Sequence, residues 1–120
     1  MIIKTMIDYV EDNLLNEINF SQLKKNTYYN KYNLMRIFSA CTDYTFGEYV
    51  RLRRLSEAGK TLATTTKSVT ETAFDYGYTT TESFTKAFKK FNGFTPTECR
   101  KNKNYKYIPV WEITKGAIMN

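Results

Sequence analysis

The chain of 120 residues contains no histidine. That removes the side chain most often used as a general base near neutral pH, and the commonest metal ligand. Proline is almost as scarce: only Pro96 and Pro109 occur, so residues 1–95 can be helical without a break. The two cysteines, Cys41 and Cys99, stand far apart with no Cys-x-x-Cys pair and no ligand partners nearby. They read as two idle thiols in a reducing cytosol, and a disulfide between them is unneeded. The five glycines form no phosphate-binding loop. No apolar run approaches the length of about eighteen residues that a membrane helix needs. The opening stretch "MIIKTMIDYVEDNL" carries Asp8, Glu11 and Asp12 and lacks a small-residue cleavage site, so it does not read as a secretory signal. No spacing of serine, lysine or carboxylate supports a catalytic site. The expectation is a chain that is not an enzyme and needs no cofactor and no metal.

What is present points elsewhere. Hydrophobic residues make up 42% and aromatics 16%, enough for a packed core in one compact domain or two very small ones. The net charge is +6 and is unevenly spread. Residues 1–44 hold five basic and five acidic groups, whereas 45–120 hold thirteen basic and seven acidic. A basic half favours a polyanionic partner, either nucleic acid or an acidic membrane surface.

The periodicity is helical throughout residues 1–100. Ile3, Met6, Val10 and Leu14 recur at steps of three and four, which predicts a first amphipathic helix with an acidic outer face. Ser21 is placed to cap a short helix, "YYN" at 28–30 to turn, and "KYNLMRIFSACT" to form another helix with Leu34, Ile37, Phe38 and Cys41 on one side. Residues 46–63 predict a long helix with Tyr49, Leu52, Leu55, Ala58 and Leu62 as its buried stripe. Gly59 within it is costly in a helix, and either permits a close approach or is tolerated. Ser68 is the expected cap of "SVTETAFDYGY", which stops at Gly77. Residues 80–91 form a further helix, closed by Gly93 and followed by Pro96 at the start of a short one. Residues 105–113, "YKYIPVWEI", are aromatic and β-branched, and predict a strand or an extended tail.

Two stretches repeat. "LMRIF" at 34–38 matches "FTKAF" at 84–88, fifty residues on: an apolar residue, a central base at Arg36 or Lys86, and a phenylalanine four places after the first. Before each lies a short helix and a turn, with Lys24 and Tyr28 corresponding to Ala73 and Gly77 at an offset of forty-nine. A short helix, a sharp turn and a second helix with one greasy and one polar side is a helix-turn-helix. The pattern therefore predicts an all-α fold with two such units, at about 20–42 and 68–91, joined by the helix at 46–63. Gly77 supplies the positive φ of the second turn. The outward faces carry Lys31, Tyr32, Met35 and Arg36 in one unit and Thr81, Glu82, Thr85 and Lys86 in the other. These side chains suit a helix entering a major groove about 12 Å wide.

The succession "EYVRLRRLSEAGKTL", "SVTETAFDYGY", "SFTKAFKKFNGFTP" and "CR" resembles the AraC/XylS family of bacterial transcription regulators over residues 2–100. Ala73, the Tyr-Gly-Tyr turn, Phe84, Phe88, Gly93, Pro96 and Arg100 stand where the family pattern has them. The resemblance implies seven helices, double-stranded DNA as partner and a cytoplasmic, nucleoid-associated protein that binds an asymmetric site as a monomer. By position it assigns base contacts to Tyr32, Met35, Arg36, Thr81, Glu82, Thr85 and Lys86. Arginine suits guanine, threonine and methionine suit thymine methyls, and glutamate suits cytosine or excludes wrong sequences. Met35 also fits the core, and Glu82 also fits a helix cap. Phosphate contacts fall to Asn30, Lys31, Arg51, Arg54 and Lys90. Asp8, Glu11 and Asp12 are either solvated or face RNA polymerase. Residues 101–120 are a basic tail: packed on the helices, disordered, or the start of an effector domain. The first unit departs from the family pattern at Lys24, Tyr28, Asn30 and Asp43, so its turn is expected to differ.

Overall fold

The computed structural model describes residues 2–110. Seven α-helices occur among them: α1 (Ile2–Asp12), α2 (Phe20–Leu23), α3 (Lys31–Cys41), α4 (Phe46–Thr64), α5 (Val69–Asp75), α6 (Thr81–Asn92) and α7 (Pro96–Asn102). A single 3₁₀ turn, Lys24–Asn26, lies between α2 and α3. The described residues include no strand, so the fold is all-α as the periodicity predicts. The aromatic stretch after α7 forms no strand either: Asn104 to Pro109 is irregular, and positions 111–113 lie outside the described residues.

The chain packs as two units. The first holds the described residues up to Arg51, with Pro109 and Val110; the second is Leu52–Ile108. α4 contributes its opening turn to the first unit and its remainder to the second.

In the first unit the expected stripe of α1 is buried, with Ile3, Met6, Val10 and Leu14 joined by Ile7. α1 packs on α3, whose Leu34 and Phe38 are both fully buried. Phe38 meets Phe46 edge-on at 5.4 Å and Tyr49 at 5.3 Å, and Phe20 covers Phe46 at 5.3 Å. The Tyr49 hydroxyl donates to Glu11 at 2.7 Å, so one of the three acids on α1 is turned to an internal bond. Ser21 is not the cap expected of it. Asn19 caps α2 instead, its Oδ1 accepting from the Ser21 N–H at 2.8 Å. The Tyr9 hydroxyl donates to the Asn19 carbonyl and accepts from its N–H, which fixes the cap two residues earlier.

In the second unit Leu55, Ala58, Leu62, Ala63, Ala73, Phe84, Phe88 and Cys99 form one core. Each fully buried phenylalanine there removes its ring from water, worth about 1.5–3 kcal/mol. Ser68 caps α5 as expected, accepting from Glu71 N–H at 3.0 Å. Gly93 ends α6 at φ 88°, and Thr95 and Glu98 form a reciprocal capping box around Pro96 at the start of α7. Arg100 reaches back to the exposed end of α4, donating to the Leu62 carbonyl at 3.1 Å and to those of Thr65 and Lys67. A guanidinium thus satisfies carbonyls that the helix terminus leaves orphaned.

Candidate nucleic-acid interface

The two helix-turn-helix units obey one local plan, displaced along the sequence. Asn19 and Ser68 cap the first helices, forty-nine residues apart. Asn30 and Thr80 cap the second helices, fifty apart, each side-chain oxygen accepting from the N–H three residues on. Leu34 and Phe38 in α3, and Phe84 and Phe88 in α6, lie at i and i+4 and are fully buried. That anchoring fixes which face of each helix is left outside.

On α3 the outer positions are Tyr32, Met35 and Arg36, at i, i+3 and i+4. Tyr32 is 68% exposed and Arg36 is exposed, with the guanidinium 5.6 Å from the Tyr32 ring centroid. Met35 is half-buried, between the two roles open to it. Lys31 is exposed and sets its ammonium 5.0 Å over the Phe20 ring. On α6, Glu82 and Lys86 are exposed while Thr81 and Thr85 are half-buried. Glu82 does not cap its helix; Thr80 does. Each helix therefore brings its own set of proposed readers to one face.

The proposed phosphate contacts are more varied. Asn30 is exposed and spends its Oδ1 on the α3 cap. Arg51 and Lys90 are exposed. Arg54 is half-buried, with Nη1 3.2 Å from where a Cβ on Gly77 would stand. Burial pulls its pKa below the usual arginine value, opposed by the nearby Tyr78. Its guanidinium thus lies close against the second turn.

The two turns differ as the sequence departures suggest. Gly77 has φ 89°, and Tyr78 N–H closes the turn on the Ala73 carbonyl at 3.0 Å. In the first unit Tyr28 has no positive φ. The chain there tightens into the 3₁₀ turn, and the Thr27 hydroxyl accepts from Tyr29 N–H at 3.3 Å. The pair Ala73 and Lys24 differs in the same sense: Ala73 is fully buried against its neighbours, whereas Lys24 stays exposed at the C-cap of α2. Likewise Asp43, standing where Gly93 does, has no left-handed φ. α3 ends instead at Thr42, whose buried hydroxyl lies 2.9 Å from the Phe38 carbonyl and accepts from Tyr44 N–H at 3.2 Å.

Sequence reasoning missed Arg53. Although it stands among the charged residues of the linking helix, it is only 4% exposed. It donates to Glu57 at 3.1 Å and to the Ile108 carbonyl at 2.8 Å, with the Tyr107 ring 5.4 Å from its guanidinium. Ser56 Oγ accepts from Ile108 N–H at 3.0 Å, and Tyr107 bonds Glu57. Gly59 explains its own presence: a Cβ there would lie 2.9 Å from Tyr105 Cβ. A glycine in mid-helix was the available signal that another backbone comes close. Tyr105 to Ile108 are thus packed on α4.

Two helix-turn-helix units on one chain, each with an anchored second helix and a polar outer face, define a DNA-binding domain. The helix-turn-helix domain family matches residues 23–102. The chain is 34% identical to the HTH-type transcriptional activator AarP of Providencia stuartii over 96 residues, covering 80% of this chain and 71% of that protein. It is 33% identical to the regulatory protein SoxS of Salmonella typhimurium over 99 residues, covering 82% and 92%. The fold matches the crystal structure of a protein described as a probable AraC family transcriptional regulator from Rhodopseudomonas palustris, with a TM-score of 0.75 at 20% identity over 84% of this chain and 95% of that one. This chain belongs to the AraC family of helix-turn-helix transcription regulators, and is a DNA-binding protein of that class. No helix among the described residues is long and apolar enough to cross a membrane.

Proposed function

We propose that the protein acts in the bacterial cytoplasm as a monomer, placing α3 and α6 in successive major-groove segments of one asymmetric operator. The observation that carries this reading is the matched pair of anchored helices. Both are capped by the same geometry, both bury an i, i+4 apolar pair, and both keep chemically different polar sets outside. Unlike faces on one chain suit unlike half-sites, so the operator need not be palindromic. Arg36 reads a guanine, Tyr32 and Met35 meet neighbouring methyls, and Thr81, Glu82, Thr85 and Lys86 read the second segment. Asn30, Lys31, Arg51 and Lys90 hold phosphates, so affinity falls steeply with salt. If the two segments lie about one helical turn apart, roughly 34 Å, the duplex bends modestly to meet both. Asp12, exposed on α1, is left to face RNA polymerase, whereas Asp8 pairs with Lys4 at 2.6 Å and Glu11 is engaged by Tyr49.

Selection of bound sequences from a random duplex pool tests the proposal. It should return one asymmetric site occupied by one chain. Arg36→Ala should lose ~1–3 kcal/mol of affinity and relax the preference at a single base position. A palindromic consensus, or an Arg36→Ala variant with unchanged affinity and footprint, contradicts it.

A further inference from the structure

The family match stops at residue 102, yet the chain just beyond it is held firmly to the second unit. Lys106 N–H donates to Asn92 Oδ1 at 2.7 Å, Ile108 is bonded through both its N–H and its carbonyl, and Tyr105 lies against Gly59. The fixed stretch is strongly basic. After Glu98 no acidic residue occurs until Glu112, while Lys101, Lys103 and Lys106 follow Arg100. Arg100 is consumed by the carbonyls at the end of α4, but the three lysines are exposed. Lys106 sets its ammonium 5.0 Å over the Phe91 ring, at the end of α6 whose last turn carries Lys89 and Lys90.

Lys103 adds an independent observation. It is the one non-glycine residue at positive φ among the described residues, at φ 52° and ψ 42°. Its N–H and that of Asn104 both close on the Cys99 carbonyl, a helix ending that glycine or asparagine fills with less strain. Asparagine stands on both sides, at positions 102 and 104, and yet a lysine occupies the strained place. Strain retained in this way marks a side chain wanted for something other than folding.

The geometry points to a second DNA contact: Lys101, Lys103 and Lys106, the last lying over Phe91 at the end of α6 that carries Lys89 and Lys90, grip backbone phosphates flanking the groove segment that α6 enters. The inference rests on the reading of α6 as a recognition helix. The contact is made by point charges alone, so it adds affinity without choosing sequence.

Lys103→Asn in the full chain tests it, because folding and binding should move in opposite directions. The variant should melt no lower than the wild type, since asparagine tolerates the left-handed turn better. Its affinity for random duplex should fall about 3- to 10-fold, and the slope of log K against log salt should shrink by about 0.9, the share of one phosphate. Replacing Lys101, Lys103 and Lys106 together by glutamine should shrink that slope by about 2–3 and leave the ratio of specific to random affinity unchanged. Variants that keep the wild-type slope and affinity overturn the contact while leaving the recognition helices in place. A fall in the specific-to-random ratio also overturns it, by making the lysines base readers. Loss of binding to phosphatidylglycerol vesicles with duplex binding intact assigns the lysines to a membrane instead, and overturns it. A wild type that binds no duplex at low salt removes the recognition reading as well, a result distinct from the others.

Discussion

Replacing Gly59 by alanine should behave in two opposite ways depending on Tyr105. In an exposed helix the change would stabilise by about 1 kcal/mol, because glycine gives up more backbone freedom than alanine does. Here the new Cβ would sit 2.9 Å from Tyr105 Cβ and 3.4 Å from its Cγ. The obstructing atom is next to the backbone, and that backbone is held by Asn92, Ser56 and Arg53. It cannot swing aside as the tip of a side chain would. Overpacking of this kind costs ~1–3 kcal/mol, so Gly59→Ala alone should be neutral to destabilising by up to about 2 kcal/mol. In a Tyr105→Gly background the obstacle is gone, and the same substitution should stabilise by about 1 kcal/mol. Tyr105→Ala keeps its Cβ and should not relieve the clash. Urea unfolding of the four chains of the cycle gives the coupling, expected at about 1–3 kcal/mol. If Gly59→Ala stabilises equally in both backgrounds, the segment after α7 is not packed on α4, and the reasoning about this stretch fails.

Two further outcomes follow from the backbone and the caps. Gly77→Ala forces a side chain into φ 89° and brings its Cβ within 3.2 Å of Arg54 Nη1, so it should cost about 1–2 kcal/mol in a thermal or urea melt, with Gly77→Asn milder; a neutral alanine variant would mean the second turn is not left-handed. The carboxyls of Glu48 and Glu98 are held below the ordinary 4.5 by the N–H groups of Thr45 and Thr95, then by the hydroxyls of the same residues. A carboxyl lowered on folding contributes its stability in full above about pH 4.5 and loses it as the pH falls through the folded value. The double variant Glu48→Gln, Glu98→Gln should therefore lose stability at pH 7 and show a shallower decline below pH 4.5; an acid limb as steep as the wild type's would deny the two carboxyls that role.

What the sequence made legible was local. Leu34 with Phe38 and Phe84 with Phe88 are pairs within one turn of helix, so their burial follows from period alone. Gly77 and Gly93 announce left-handed positions because few other residues take them. The misses depend on partners far along the chain. Ser21 and Asn19 are equally good caps on paper; the Tyr9 hydroxyl, ten residues upstream, decides for Asn19. Arg53 looks like any helix-surface arginine until Ile108, fifty-five residues on, brings a carbonyl to it. Tyr28 in a glycine's place signals that the first turn departs from the second, but the remedy, a 3₁₀ turn with the Thr27 hydroxyl on Tyr29, is a matter of three-dimensional fit. The outer faces of α3 and α6 follow from register, since anchoring one face leaves only the other.

The first turn has a practical side. Tyr28 projects wholly into solvent, at 107% of the reference exposure, on backbone that any residue can adopt. Cys99 is buried and Cys41 half-buried, so Tyr28→Cys would present the most accessible thiol for a fluorophore. A dye hung there, two residues ahead of the cap of α3, would brighten or dim as that helix met its target, turning the turn's unusual construction into an optical gauge of occupancy.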